Sequence, residues 1–457
     1  MERQSDACRC EMNIPSILSR IPEIKTFYTV DEMAAQGLAL EARYPGVITR
    51  FIAGQSRQGD SLWCLKLGSG AKNALCFACP HPNEPIGAMT LFAMAEILAG
   101  DPALLEETGM TWHLIPCIDP DGTRLNEGWF KGPFGIESYI RGFFRPAGSR
   151  QVEWTFPFRH QNMWFERPLP ETRALMALID TLRPQLVYSL HNSAFGGAYW
   201  YLNRSDPALC ASLEGAAIRQ DVPLHLGEPE SPYITKYSKA VHSMMSLRQY
   251  YEYRTRHGQA LPEGELSCGT CSADYVLAVC ESLTLMAELP YFLVKGIDDE
   301  TSSGIRRGDA LREKALRRAE HGAFLRERWN EARTLFGEDN PFPLLVDDAI
   351  KAYEGGEEAA DAEFDRIATK AEAMDSLWLT RIFEALDLSL TVRACDFELS
   401  RVGGAERAAL EGARWKTDER LTKLCREIEG SCEYAVASIR RLVSVQLESV
   451  LQSIPFC

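Results

Sequence analysis

Over the first 300 positions the apolar residues fall into two alternating rhythms. In VDEMAAQGLALEARYP (30–45) they recur at three- and four-residue spacing, which predicts an amphipathic helix. The Tyr44-Pro45 pair ends it, because a residue before proline is pushed out of the helical region. SLWCLKLG and NALCFACP are apolar runs of strand length, as are WHLIPCID, QLVYSLH and SLTLMAELP further on. Between them, EPIGAMTLFAMAEILAG predicts a helix with Pro85 near its first turn, where the missing N–H costs nothing. Strands alternating with helices in this way predict an α/β fold, a sheet of mixed direction covered by helices.

Beyond residue 300 the pattern changes. DALREKALRRAEHGAFLRERWNEARTLF and DSLWLTRIFEALDLSLTVRACDFELSRV keep apolar residues at helical spacing with Gly or Pro between the runs, and predict about four helices packed as an all-α helical bundle. Composition sharpens the boundary: residues 1–300 carry 21 of the 24 prolines and seven of the eight histidines, whereas 301–457 hold 23 Lys plus Arg and 29 Asp plus Glu. The chain is therefore divided into a domain over 1–300 and a C-terminal helical domain over 301–457. With His321 as its single histidine, the second is a poor place for a metal site.

Charge and cysteine content narrow the function classes. A formal net charge of −15 repels phosphate backbones, so no nucleic-acid partner is expected. The opening MERQSDACRCEMN lacks the apolar core of a secretory signal and no later run has membrane-spanning length, so the expectation is a soluble, cytoplasmic protein without a membrane partner. The 14 cysteines show no repeated framework and are expected as thiols. The close pairs Cys8/Cys10 and Cys268/Cys271 lack second pairs at zinc-finger spacing.

Residues with chemistry collect where the strands end. His81 and Glu84 follow NALCFACP in a strand-to-helix turn, the edge at which open α/β sheets build their sites. His191 closes QLVYSLH, and Glu288 lies near the end of SLTLMAELP. Two histidines and a carboxylate suit zinc and leave a fourth position for water, and a further acid beside that water can take its proton. Each residue alone also fits a polar turn or a hydrogen-bonded core histidine; their grouping at separate strand ends points to a metal.

Several longer stretches resemble the zinc carboxypeptidases related to carboxypeptidase A. YPGVITRFIAGQSRQGDSLWCLKLG and CPHPNEPIGAMTLFAMAE look like the amino-terminal half of that family, IDPDG is similar to its Asn-Pro-Asp-Gly turn, and PLPETRALMALID to its Glu-Pro-Glu-Thr segment. SLHNS carries the third ligand, and GTCSADYVLAVCESLTLMAELP has the family's interval from Asp274 to Glu288. The resemblance spans about residues 25–295. It implies an eight-stranded mixed sheet with helices on both faces, one Zn2+ per chain held by His81, Glu84 and His191, and hydrolysis of an amide next to a free carboxylate in a peptide or small amide substrate. Glu288 is then the base that takes a proton from water and returns it to the leaving amine. Glu153 falls where the family has an aspartate that orients the first zinc histidine.

The chain also departs from the family. Its Asn-Arg pair for the substrate carboxylate is missing from QVEWTFPF, and Leu266 stands at the place of the covering tyrosine, a role left to Tyr250, Tyr251 or Tyr253. A guanidinium fork can replace the clamp; Arg124, Arg141, Arg145 and Arg159 are the candidates, with Arg124 preferred for polarising the scissile carbonyl. Ala273, just before the pocket aspartate Asp274, matches a position at the floor of the family's specificity pocket, and a small apolar side chain there selects no charge. RQYYEYRTRHG, aromatic and cationic, is either a lid for an anionic substrate or a packed surface loop. An N-acyl-amino-acid deacylase similar to the aspartoacylases, and a binding or scaffold protein that keeps zinc without turnover, stay open beside the carboxypeptidase reading. The helical region is left to self-association or carrier recognition.

Overall fold

The structure is a computed structural model that describes residues 12–354 and 365–457. Its centre is a mixed sheet. The strands are β1 (Ile48–Gln55), β2 (Ser61–Leu67), β3 (Lys72–Ala78), β4 (Met110–Ile115), β5 (Leu186–Gly196), β6 (Tyr199–Leu202), β7 (Val241–Ser243), β8 (Leu283–Val294) and β9 (Tyr434–Val436). Eight run in the order β1-β2-β4-β3-β5-β8-β6-β7. The ninth pairs antiparallel with the far half of β8. Pairing is parallel through β4-β3-β5-β8 and antiparallel for β1-β2, β2-β4 and β8-β6. The expected α/β sheet with a helical C-terminal region is what the structure has, and β9 adds a strand from within the region read as helical.

Helices cover both faces. They are α1 (Val30–Arg43), α2 (Ile86–Ala99), α3 (Pro170–Leu182), α4 (Pro207–Arg219) and α5 (Ser272–Val279), followed by α6 (Arg307–Ala332), α7 (Pro343–Glu354), α8 (Thr380–Leu399), α9 (Gly404–Ser431) and α10 (Ile439–Ser453). Side chains alternate across β3: Ala74, Cys76 and Ala78 join the core under α2 and α10, while Leu75 and Phe77 join the core under α3 and α5. α1 starts at the Thr29 capping box, with Glu32 returning a bond to the Thr29 N–H, and stops at Arg43 as the proline rule predicts. α2 is apolar all round and buried on nearly every residue, the mark of a helix enclosed by its neighbours. Gly87 permits this closeness, since a Cβ there would lie 2.6 Å from Leu190 Cβ and 2.8 Å from Ala78 Cβ.

Two strands run further than the sequence suggests: β5 continues past His191 to Gly196, and β8 past Pro290. SLTLMAELP reads as ending at Pro290, which cannot donate to a ladder, yet β8 continues to Val294. The register slips on either side of Pro290, so the missing N–H falls at a bulge.

The helical region is not one piece in packing. α6, α7, α8 and α9 pack against one another, but α10 returns to the sheet and lies against α2 and α4. Its polar residues are buried with partners: Thr90 Oγ1 donates to Gln446 Oε1 at 2.7 Å, Gln446 Nε2 to the His191 carbonyl at 3.1 Å, and Trp200 Nε1 to Ser449 Oγ at 3.1 Å. Cys8 and Cys10 lie outside the described residues; the described cysteines, Cys268 and Cys271 among them, are free thiols. No helix among the described residues is long and apolar enough to cross a membrane.

Strand β4 carries a buried imidazole outside the cluster of His81, Glu84 and His191. His113 on β4 stands opposite Lys66 on β2, its Nε2 3.3 Å from Asn73 Oδ1 and its Nδ1 without a partner. Burial, with Lys66 adding to it, pushes the ring from 6.5 down to about 4. The folded protein therefore keeps His113 neutral where the unfolded chain protonates it, and the stability this gives is complete above pH 6.5 and lost as pH falls toward 4. Denaturant midpoints are expected to drop between pH 6.5 and 4.5, and to drop less in His113→Gln.

Candidate metal centre

His81 and Glu84 sit in the turn between β3 and α2, closed by the Glu84 N–H donating to the His81 carbonyl at 3.1 Å. Cys79, which opens the turn, has φ 52°, a left-handed conformation rare outside glycine and frequent where backbone strain serves a site. His191 comes from β5, the next strand in the sheet. Its Nδ1 lies 2.9 Å from Glu84 Oε2, His81 Nδ1 lies 3.1 Å from Glu84 Oε1, and the two Nδ1 atoms are 3.2 Å apart. These two nitrogens and one carboxylate form the cluster of metal-ligand atoms found among the described residues. All three side chains are buried. A donor set of two imidazole nitrogens and a carboxylate aimed at one point fits zinc.

The electrostatics agree with ligand duty. Burial, helped by the Arg145 guanidinium, pushes His81 down to about 3, so its ring is neutral at neutral pH. Burial acts to raise the Glu84 carboxyl, but the two imidazoles outweigh it and hold the group below the usual carboxylate range. Outside the cluster, His191 Nε2 meets Ser189 Oγ at 2.7 Å, and the Asn192 N–H donates to Glu84 Oε2 at 3.2 Å. A hydroxyl on one imidazole nitrogen orients the other toward the centre.

Glu288 is aligned by the sheet itself. On β8 it stands in register with His191 on β5 and Tyr199 on β6, so three side chains form a row on one face. Its Oε1 is 3.8 Å from His191 Nδ1. Burial, then the nearby Glu84 and Glu230 carboxylates, raise Glu288 well above the ordinary value, giving a carboxylate with a strong pull on a proton. The Tyr199 hydroxyl donates to the exposed Glu230 at 2.5 Å.

Among the arginines, Arg145 reaches the cluster: its guanidinium contacts His81 Nδ1 and lies 3.5 Å from Glu84 Oε1. Arg124, preferred from sequence, is instead engaged by Asp60 at 2.9 Å and Asp31 at 2.8 Å. Arg141 pairs with Glu137 and with Asp418 on α9, and Arg159 with Glu166. Glu153 Oε1 accepts from the Ser272 N–H and hydroxyl at 2.9 and 2.7 Å rather than from His81, and its Oε2, like His81 Nε2, is buried without a partner. Ala273 packs into the apolar core, and Asp274 accepts from Ser246 and Thr270. RQYYEYRTRHG forms a helix, Leu247–Arg256, whose Tyr251 joins Leu266, Phe158 and Phe165 in a small separate core, while Tyr250 and Tyr253 pack on Tyr233.

A polar layer beneath the ligands has no counterpart in the sequence reading. The Tyr291 hydroxyl bonds the Asn83 carbonyl and Asn192 Oδ1, and Asn83 Nδ2 donates to the Tyr139 hydroxyl. The asparagines beside His81 and His191 were its visible signal. Gln446, which holds the His191 carbonyl, had none, being 255 residues away.

Comparison with known proteins gives one family match: residues 36–134 fit the zinc carboxypeptidase family model. No curated protein sequence matches the chain. Similar solved structures include carboxypeptidase A from Helicoverpa armigera, at 15% identity over 61% of this chain and 69% of that one, with a TM-score of 0.38. A metallo-carboxypeptidase from Burkholderia cenocepacia is 16% identical over 57% of this chain and 60% of that one, with a TM-score of 0.35. Murein-tripeptide amidase MpaA from Escherichia coli O157 is 17% identical over 58% and 89%, with a TM-score of 0.26. The motifs that resemble the zinc carboxypeptidases and the match of that family's model to residues 36–134 agree.

Proposed function

We propose that the protein is a zinc-dependent hydrolase that cleaves a peptide or amino-acid amide carrying a carboxylate. The observation that supports this best is the convergence of His81, Glu84 and His191 on one point with Glu288 beside them in register. Bound there, zinc supplies a Lewis acid for a carbonyl oxygen and eases proton loss from water. Glu288 takes the proton of the attacking water and returns it to the leaving amine. Arg145, about one-third exposed at the edge of the cluster, is the cation that meets the substrate's anionic group, the part that the missing Asn-Arg pair leaves open.

The purified protein is expected to carry about one zinc per chain by elemental analysis, and Glu84→Ala or His191→Ala to remove it. Chelation should abolish hydrolysis. For turnover, Glu288→Gln is expected to lower kcat by about 10²–10⁴-fold with zinc retained. A panel of C-terminal peptides and N-acyl amino acids, run on wild type and Glu288→Gln, checks both parts. Cleavage of acyl amino acids alone would move the activity to a deacylase, and full activity in Glu288→Gln would remove the base from the mechanism.

A further inference from the structure

The segment that delivers Arg145 to the ligands is held by residues of the helical region, outside the family-like sheet. Arg393 on α8 donates through Nη1 to the carbonyls of Gly142 and Phe143, each at 2.7 Å, and through Nη2 to the Leu125 carbonyl at 2.7 Å. Its guanidinium also lies over the Phe342 ring, 4.8 Å from the centroid. Beside it, Arg141 Nη1 donates to Asp418 at 2.6 Å and Nη2 to the Thr422 hydroxyl at 2.8 Å, both on α9. Phe144 completes the grip: its ring meets Phe342 edge-on at 5.4 Å, and its N–H and carbonyl are both bonded by Asn126, at 2.9 and 2.8 Å. Every residue from Arg141 to Phe144 is thus fixed, and the next is Arg145.

This arrangement is specific in its chemistry. Three backbone carbonyls at the ends of two helical segments are costly to leave without donors when buried, and a single guanidinium fork satisfies all three from one side chain. Burial lowers Arg393 only to about 10, so it stays charged at neutral pH. A lysine at this position has the charge without the planar fork.

We infer that Arg393 is a positioning residue: by clamping 142–143 it keeps the Arg145 guanidinium pressed against His81 and Glu84, so that the helical region sets the charge felt at the metal centre. This rests on the reading of His81, Glu84 and His191 as zinc ligands. A guanidinium fixed beside a divalent cation repels it, so the clamp weakens zinc binding, and loosening the clamp strengthens it. Loss of a merely structural contact would act in the opposite direction.

The test is zinc affinity by chelator competition on the full chain, with hydrogen exchange of 143–147 measured in parallel. Arg145→Ala and Arg393→Met are both expected to bind zinc about tenfold more tightly than wild type, the size of one partly screened charge at a few ångströms. Arg393→Lys, which keeps the charge and loses the fork, should tighten as well, and exchange at 143–147 should quicken in both Arg393 variants. Arg333→Met, which removes a helical-region guanidinium from its Asp347 pair, controls for charge alone and should leave affinity unchanged. Zinc affinity unchanged or weakened in Arg393→Met beside a tightened Arg145→Ala would overturn the clamp, and so would an unaltered Arg145→Ala. If wild type binds no zinc, the ligand reading fails separately, and unchanged exchange at 143–147 in Arg393→Met would by itself overturn the inference.

Discussion

Negative charge confined in a small buried volume is the constraint around which this molecule is arranged. Glu84 and Glu288 lie within reach of the same imidazole, Glu153 is buried behind Ser272, and the cation that meets the ligands is the guanidinium of Arg145. Buried carboxylates persist when they are paired or bind a metal. The sheet answers by placing β5 and β8 side by side and parallel, so that an imidazole and a carboxylate fall in register without help from a loop. The turn after β3 then needs only three residues to bring His81 and Glu84 to the same point.

The cluster of His81, Glu84 and His191 was legible in the sequence because its signal is local. A strand-length apolar run with a histidine at or just past its end is the form both places have in the sequence, although β5 runs on past His191 to Gly196 and the turn after β3 is buried. Glu288 was equally visible, although β8 does not end beside it; the proline that suggested an end is absorbed by a bulge. What escaped were pairings between distant segments. Arg124 follows the DPDG turn and Arg145 the pair Phe143-Phe144, and neither neighbourhood says which reaches the cluster; the choice is made by Asp31 and Asp60, which occupy Arg124. Glu153 escaped for the same reason, its hydrogen bonds being claimed by Ser272, 119 residues on.

The helical region shows how far a change in composition can be from a boundary in packing. Its charge and its shortage of proline mark a different kind of structure from residue 301, and α6 to α9 have that character. Yet β9 joins the sheet, and α10 lies in one continuous apolar core with α2 and α4. The helices α6 to α9 thus interrupt the sheet-bound part of the chain between β8 and α10, and they touch it where Arg145 and the loop after Leu224 are held: the Glu228 N–H donates to Asp375 at 2.7 Å, and Arg307 pairs with Glu228.

The bond from Gln446 to the His191 carbonyl has a bearing on how the protein is made. A ribosome delivers the residues in order, and the strand that carries His191 leaves it long before the side chain that braces that strand exists. Until then the sheet lacks the helix that covers one of its faces, and water takes the place of the Gln446 side chain at the His191 carbonyl. The surroundings of the candidate metal centre are therefore complete only once α10 has been made and has docked on the sheet.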